Sequence, residues 1–100
     1  MISTAHNGDG VVLALHGNLD MASEPCLEQA LRRARASGYR RVVIDLRGLE
    51  FIDWIGLQLL LRTRSDFMRE GRELSLLRGP RPVQRLFELT GAVNLFSFED

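Results

Sequence analysis

Val42-Val43-Ile44-Asp45-Leu46-Arg47-Gly48-Leu49-Glu50-Phe51-Ile52-Asp53-Trp54-Ile55-Gly56-Leu57 is the stretch that decides the fold. It opens on a continuous β-branched run, Val42 to Ile44, which predicts a strand covered on both faces. Asp45 to Glu50 mixes charge with glycine and reads as a loop. From Trp54 or Ile55 the apolar spacing becomes helical. Leu57, Leu60, Leu61, Phe67 and Met68 predict one apolar face of a helix that reaches Glu70 and is stopped by Gly71. Asp53, just before this helix, is placed to cap its free N–H groups and to complement its positive dipole end.

Upstream, Ile2 to His6 fits an edge strand, and Asn7-Gly8-Asp9-Gly10 is a strong turn signal. Val11 to His16 completes a hairpin, and Gly17-Asn18-Leu19-Asp20 breaks the strand. Ser23 is the expected N-cap of a first helix, with Glu24 and Pro25 in its opening turn. Leu27, Ala30, Leu31 and Ala34 share one helical face, and Gly38 is the expected residue just past the end. Downstream, Glu73 to Leu77 predicts a strand and Gly79-Pro80-Arg81-Pro82 a rigid connection. Val83, Leu86, Phe87 and Thr90 predict a third helix ended by Gly91, and Val93 to Phe98 is either a last strand or a packed tail. The order is ββαβαβαβ. Strands alternating with helices imply right-handed crossovers and a mostly parallel sheet, an α/β fold in one domain over residues 1–100.

Composition narrows the function. With 100 residues, of which 45% are hydrophobic, one real core is attainable without staples. Thirteen basic residues balance thirteen acidic ones, so no basic excess points to nucleic acid. Arg32, Arg33, Arg35, Arg40 and Arg41 read as a solvated helix end and loop. Every basic residue is Arg, which removes Lys-dependent chemistry such as Schiff bases and the phosphate-loop lysine. The lone Cys26 excludes an internal disulfide and reads as a small buried or half-buried residue. No apolar run reaches 18 residues and no signal-peptide pattern opens the chain, so the expectation is a cytoplasmic protein without membrane insertion.

Little catalytic chemistry is legible. His6, His16 and Cys26 show no metal-ligand spacing, so no metal site is expected. There is no G-x-S-x-G elbow and no glycine-rich nucleotide motif, so neither catalytic residues nor a cofactor are assigned. Asp20, Asp45 and Asp53 follow or end strands, where a parallel sheet brings carboxylates to one edge. A magnesium site would want such a cluster, but the commoner role of such aspartates is to organise loops and helix starts. Trp54, the only Trp, is either core or an exposed anchor for a partner.

The pattern resembles the STAS domain family, which includes the bacterial anti-sigma factor antagonists. The resemblance runs from about Val11 to Phe96 and rests on four pieces in order. These are His16-Gly17-Asn18-Leu19-Asp20, Val42-Val43-Ile44-Asp45-Leu46, Leu49-Glu50-Phe51-Ile52-Asp53 with Gly56-Leu57, and Val83-Gln84-Arg85-Leu86-Phe87-Glu88-Leu89-Thr90-Gly91. It implies the STAS (SpoIIAA-like) fold and a non-enzymatic regulator that binds an anti-sigma factor or serine kinase-like protein. It also implies a partner surface at Asp20, Asp53, Trp54, Ile55, Gly56 and Leu57. In the antagonists a serine follows the aspartate equivalent to Asp53, and its phosphorylation breaks the complex. Here Trp54 occupies that position and Ile55 replaces the next hydroxyl residue, so the phosphorylation site is lost. The alternative implied is a soluble STAS-type accessory subunit of a transport or lipid-trafficking complex.

Overall fold

A computed structural model describes residues 1–99, the side chain of Asn7 excepted. The elements are β1 (Ile2–Asn7), β2 (Gly10–Leu19), α1 (Glu24–Ala36), β3 (Arg41–Ile52), α2 (Trp54–Arg69), β4 (Glu73–Leu77), α3 (Arg81–Thr90), a 3-10 turn (Ala92–Asn94) and β5 (Ser97–Glu99). They form one sheet in the order β1-β2-β3-β4-β5. β1 is antiparallel to β2, and every later neighbour is parallel.

This order dictates the layers. Each crossover steps one strand in the same direction, and right-handed connections then put every helix on the same face. Burial follows. Val11, Leu13 and Leu15 of β2, Val42, Ile44 and Leu46 of β3, and Leu76 of β4 pack beneath Leu27 and Leu31 of α1, Leu57, Leu60 and Phe67 of α2, and Val83 and Phe87 of α3. At the far edge, Phe87 meets Phe96 and Phe98 edge-on, with ring centroids 5.6 and 5.7 Å apart. The opposite face of the sheet carries no helix among the described residues. The expectation that Val42 to Ile44 is covered on both faces therefore fails at Val43, which is only half-buried and lies beside half-buried Val12 and Ser75.

Two expected breaks are strands. β2 continues through Gly17 to Leu19, and β3 continues through Asp45 to Glu50 and on to Ile52. Irregular register between Ala14 and His16, and again between Gly17 and Asn18, lets the pairing survive. Bulges of this kind break strict alternation, and that loss of period makes the segment look like a loop. Leu46, Leu49 and Ile52 remain inward while Arg47, Gly48 and Glu50 face water.

Smaller departures follow the same logic. Met68 is 63% exposed, and Leu59 and Thr63 are buried in its place; the Thr63 hydroxyl donates to the Leu59 carbonyl at 2.8 Å. Cys26 is exposed because it lies off the Leu27, Leu31, Ala34 stripe. Ser23 stands at the N-cap of α1 but does not cap it. Its hydroxyl donates to the Asn18 carbonyl at 2.7 Å instead. Val93 to Phe98 contains both a tight turn and a short edge strand.

Candidate functional site

Asp53 joins three elements at the carboxyl end of the sheet. Its backbone N–H donates to Leu19 at the end of β2, at 3.1 Å. One carboxylate oxygen accepts from the Gly56 N–H at 2.8 Å, capping α2, and the other accepts from the Met21 N–H at 3.3 Å. One side chain thus fixes both the start of α2 and the loop that leads into α1. Asp53→Ala is expected to cost about 1–2 kcal/mol by urea unfolding, whereas Asp53→Asn, which keeps an acceptor for Gly56, loses clearly less.

Asp20 organises the neighbouring loop. Its carboxylate accepts from the Ala22 and Ser23 N–H groups, both at 3.1 Å. The Asp20 N–H donates to the Ser23 oxygen at 2.9 Å. This is a closed polar turn that needs no ligand for its geometry. Asp45 stands apart, mid-way along β3 opposite Ala14 and Leu77. Among the described residues no three His, Cys, Asp or Glu side chains group closely enough to hold a metal, so the three aspartates do not form one cluster.

Asp45 has a different task. The Arg47 guanidinium grips it at 3.0 and 2.9 Å, and the Arg47 N–H adds a third bond at 3.0 Å. The charged hydrogen bond from Arg47 holds the Asp45 carboxyl below its ordinary range, against the opposing effect of burial. A carboxyl lowered in the folded state stabilises the fold above its unfolded pKa. That contribution is lost as pH falls through the lowered value. An acid titration of stability is therefore expected to be shallower for Asp45→Asn than for the parent below about pH 4, and added salt narrows the difference because Arg47 is largely exposed.

Three large apolar residues close to Asp53 in sequence or joined to it by a hydrogen bond, Met21, Phe51 and Trp54, are 70%, 51% and 49% exposed. Trp54 is thus an outward residue and not core. Ile55 is half-buried. Leu57 is wholly buried and Gly56 is buried against Leu19, so these two expected docking residues support the turn from beneath and offer no surface. Met21 was not anticipated, because the pairing of β2 with β3 and the Asp53 hydrogen bonds, not any local pattern, bring its loop to the helix start.

The other candidates lie elsewhere. His6 stacks on Tyr39, centroid to centroid 5.4 Å, and the Tyr39 hydroxyl is bonded to its ring. His16 lies 3.4 Å from the Ser3 hydroxyl on the exposed surface. No described helix is long and apolar enough to cross a membrane.

A family model described as Mlab, STAS domain matches residues 2–96. The anti-sigma-B factor antagonist of Staphylococcus aureus is 33% identical over 79 residues, covering 79% of this chain and 73% of that protein. The crystal structure of an anti-sigma factor antagonist from Mycobacterium paratuberculosis matches with a TM-score of 0.86 at 27% identity, over 98% of this chain and 83% of that one. The unphosphorylated form of the Bacillus antagonist SpoIIAA matches with a TM-score of 0.82 over 100% of this chain and 89% of that one; at 19% identity this is a likeness of fold alone. The family match takes in every helix and all but the last strand of the sheet, and on that extent the chain belongs to the STAS domain family.

Proposed function

We propose that this chain is a non-enzymatic, cytoplasmic regulator that acts as an anti-sigma factor antagonist, the activity named for its relatives, by docking a partner protein at the Asp53 turn. Met21, Phe51, Trp54 and Ile55 supply the contact surface, and Asp20 and Asp53 supply its frame and negative charge. The observation that carries the reading is the half-exposed indole of Trp54 on the first residue of a helix whose start is tied to two other elements. A large aromatic held rigidly at the surface loses little entropy on binding and buries much apolar area. The partner is an anti-sigma factor or serine kinase-like protein with an apolar recess.

The interface is constitutive. Trp54 has no hydroxyl to phosphorylate. The nearest hydroxyl residues of α2, Thr63 and Ser65, lie two to three turns into the helix, Thr63 buried and Ser65 exposed but away from the Asp53 turn, and the hydroxyl of Ser23 is engaged within the Asp20 turn. Captured partner is expected to stay bound when ATP and magnesium are added. ATP-dependent release, with phosphate found on the chain, overturns this. A second reading, an accessory subunit of a transport or lipid-trafficking complex, is favoured by the same loss of the switch. Mass spectrometry of captured partners separates the two, since one predicts a kinase and the other an ATPase or permease.

A further inference from the structure

The two edges of the sheet are finished differently. β5 is three residues long and carries Glu99, whose carboxylate is bonded to the Ser75 hydroxyl. β1 is six residues long, Ile2-Ser3-Thr4-Ala5-His6-Asn7, with no acid, no arginine and no proline, and it pairs with β2 over six residues without a bulge. Short length, charge, proline and bulges are the devices that keep an edge strand from pairing with another chain. β5 is short and acidic; β1 has none of these. Nor is β1 covered. The first crossover joins β2 to β3, so α1 lies inward of the edge, and Ser3, Thr4, Ala5 and His6 are all exposed.

A free strand edge presents alternating N–H and C=O groups, and a strand running antiparallel answers them. An identical β1 does so about a two-fold axis, the symmetry of an isologous dimer. It also brings no like charge into opposition. Between β1 and α1 a shallow groove of about 150 Å³, lined by Thr4, His6, Leu13, Ala30 and Tyr39 with Arg33 of α1 as its one charged residue, leaves room for side chains of the second copy.

We propose that β1 is a dimerisation edge, at which β1 pairs antiparallel with β1 of a second copy and joins two five-stranded sheets into one. Because the two β1 strands run in opposite directions, so do the two β2 strands. The Asp53 turns then lie at opposite ends of the assembly, both free, and the dimer is bivalent. This inference does not depend on what the Asp53 turn binds.

The test is the mass of the intact chain by light scattering over a dilution series. The parent is expected at twice the monomer mass at hundreds of micromolar, falling toward the monomer on dilution. Ala5→Lys is expected to be monomeric throughout with an unchanged melting temperature, since Ala5 is exposed. An equimolar mixture of Ala5→Lys and Ala5→Glu is expected to regain the dimer mass. A parent that stays monomeric, an Ala5→Lys protein that dimerises like the parent, or a mixture that stays monomeric each overturns the proposal. Should Ala5→Lys fail to fold, amide exchange of the parent decides. Slower exchange at Ser3 to His6 with rising concentration supports the edge, and concentration-independent exchange overturns it.

Discussion

Gly56→Ala is expected to lower the unfolding free energy by about 2–3 kcal/mol. The direction is opposite to the usual one, because glycine within a helix is ordinarily less stable than alanine by about 1 kcal/mol. The reason is the close approach of α2 to the end of β2. A Cβ at position 56 falls 2.5 Å from the Leu19 carbonyl oxygen and 2.8 Å from the Leu19 Cγ. Real Cβ atoms do not come so near a backbone oxygen, and neither neighbour is a flexible chain end. Leu19 is fully buried, and its carbonyl is already the acceptor for the Asp53 N–H. Relief therefore requires α2 to move outward, which strains the cap from Asp53 to Gly56 and loosens the packing of Leu57. Chemical denaturation measures the effect. A variant as stable as the parent shows that α2 and Leu19 are not in contact as described.

Trp54→Ala is expected to weaken partner binding by roughly 30-fold or more, equivalent to about 2 kcal/mol, while the melting temperature stays near that of the parent. The indole is half in water, so its removal opens no cavity in the core. On the proposed docking it is the exposed half of the ring that leaves water, and that newly buried area is what the substitution removes from binding. Titration calorimetry against the captured partner, with a melt of each variant, distinguishes the two effects. A melting temperature that falls sharply with unchanged affinity identifies Trp54 as a structural residue instead.

The site was only partly legible in the sequence. Asp53 before an apolar helical run announces a cap, and the cap is present. Its second bond, to the Met21 N–H, joins residues 32 apart in sequence, and no local pattern carries that information. For that reason Met21 escaped notice, although it is the most exposed of the large apolar residues around the turn. Gly56 and Leu57 show the converse. Their place in a family motif suggested contact with a partner, whereas each acts from below, one by admitting Leu19 and the other by filling the core.

The sequence by itself determined the order of the helices and of the first four strands and the type of each, and left the last segment between a strand and a packed tail. Those properties depend on spacing and turn residues within a few positions, and Gly38, Gly71 and Gly91 end their helices with positive φ as their placement predicts. Tertiary structure decided how far β2 and β3 run, because bulged strands are held by their neighbours and not by their own periodicity. It decided which sheet face stays bare, because that follows from the direction of successive crossovers. It also decided that Trp54 faces outward. A tryptophan at a helix start suits either core or surface, and only the packing of Leu57 and Leu19 around Gly56 fixes the rotation of α2 that leaves the indole half in water.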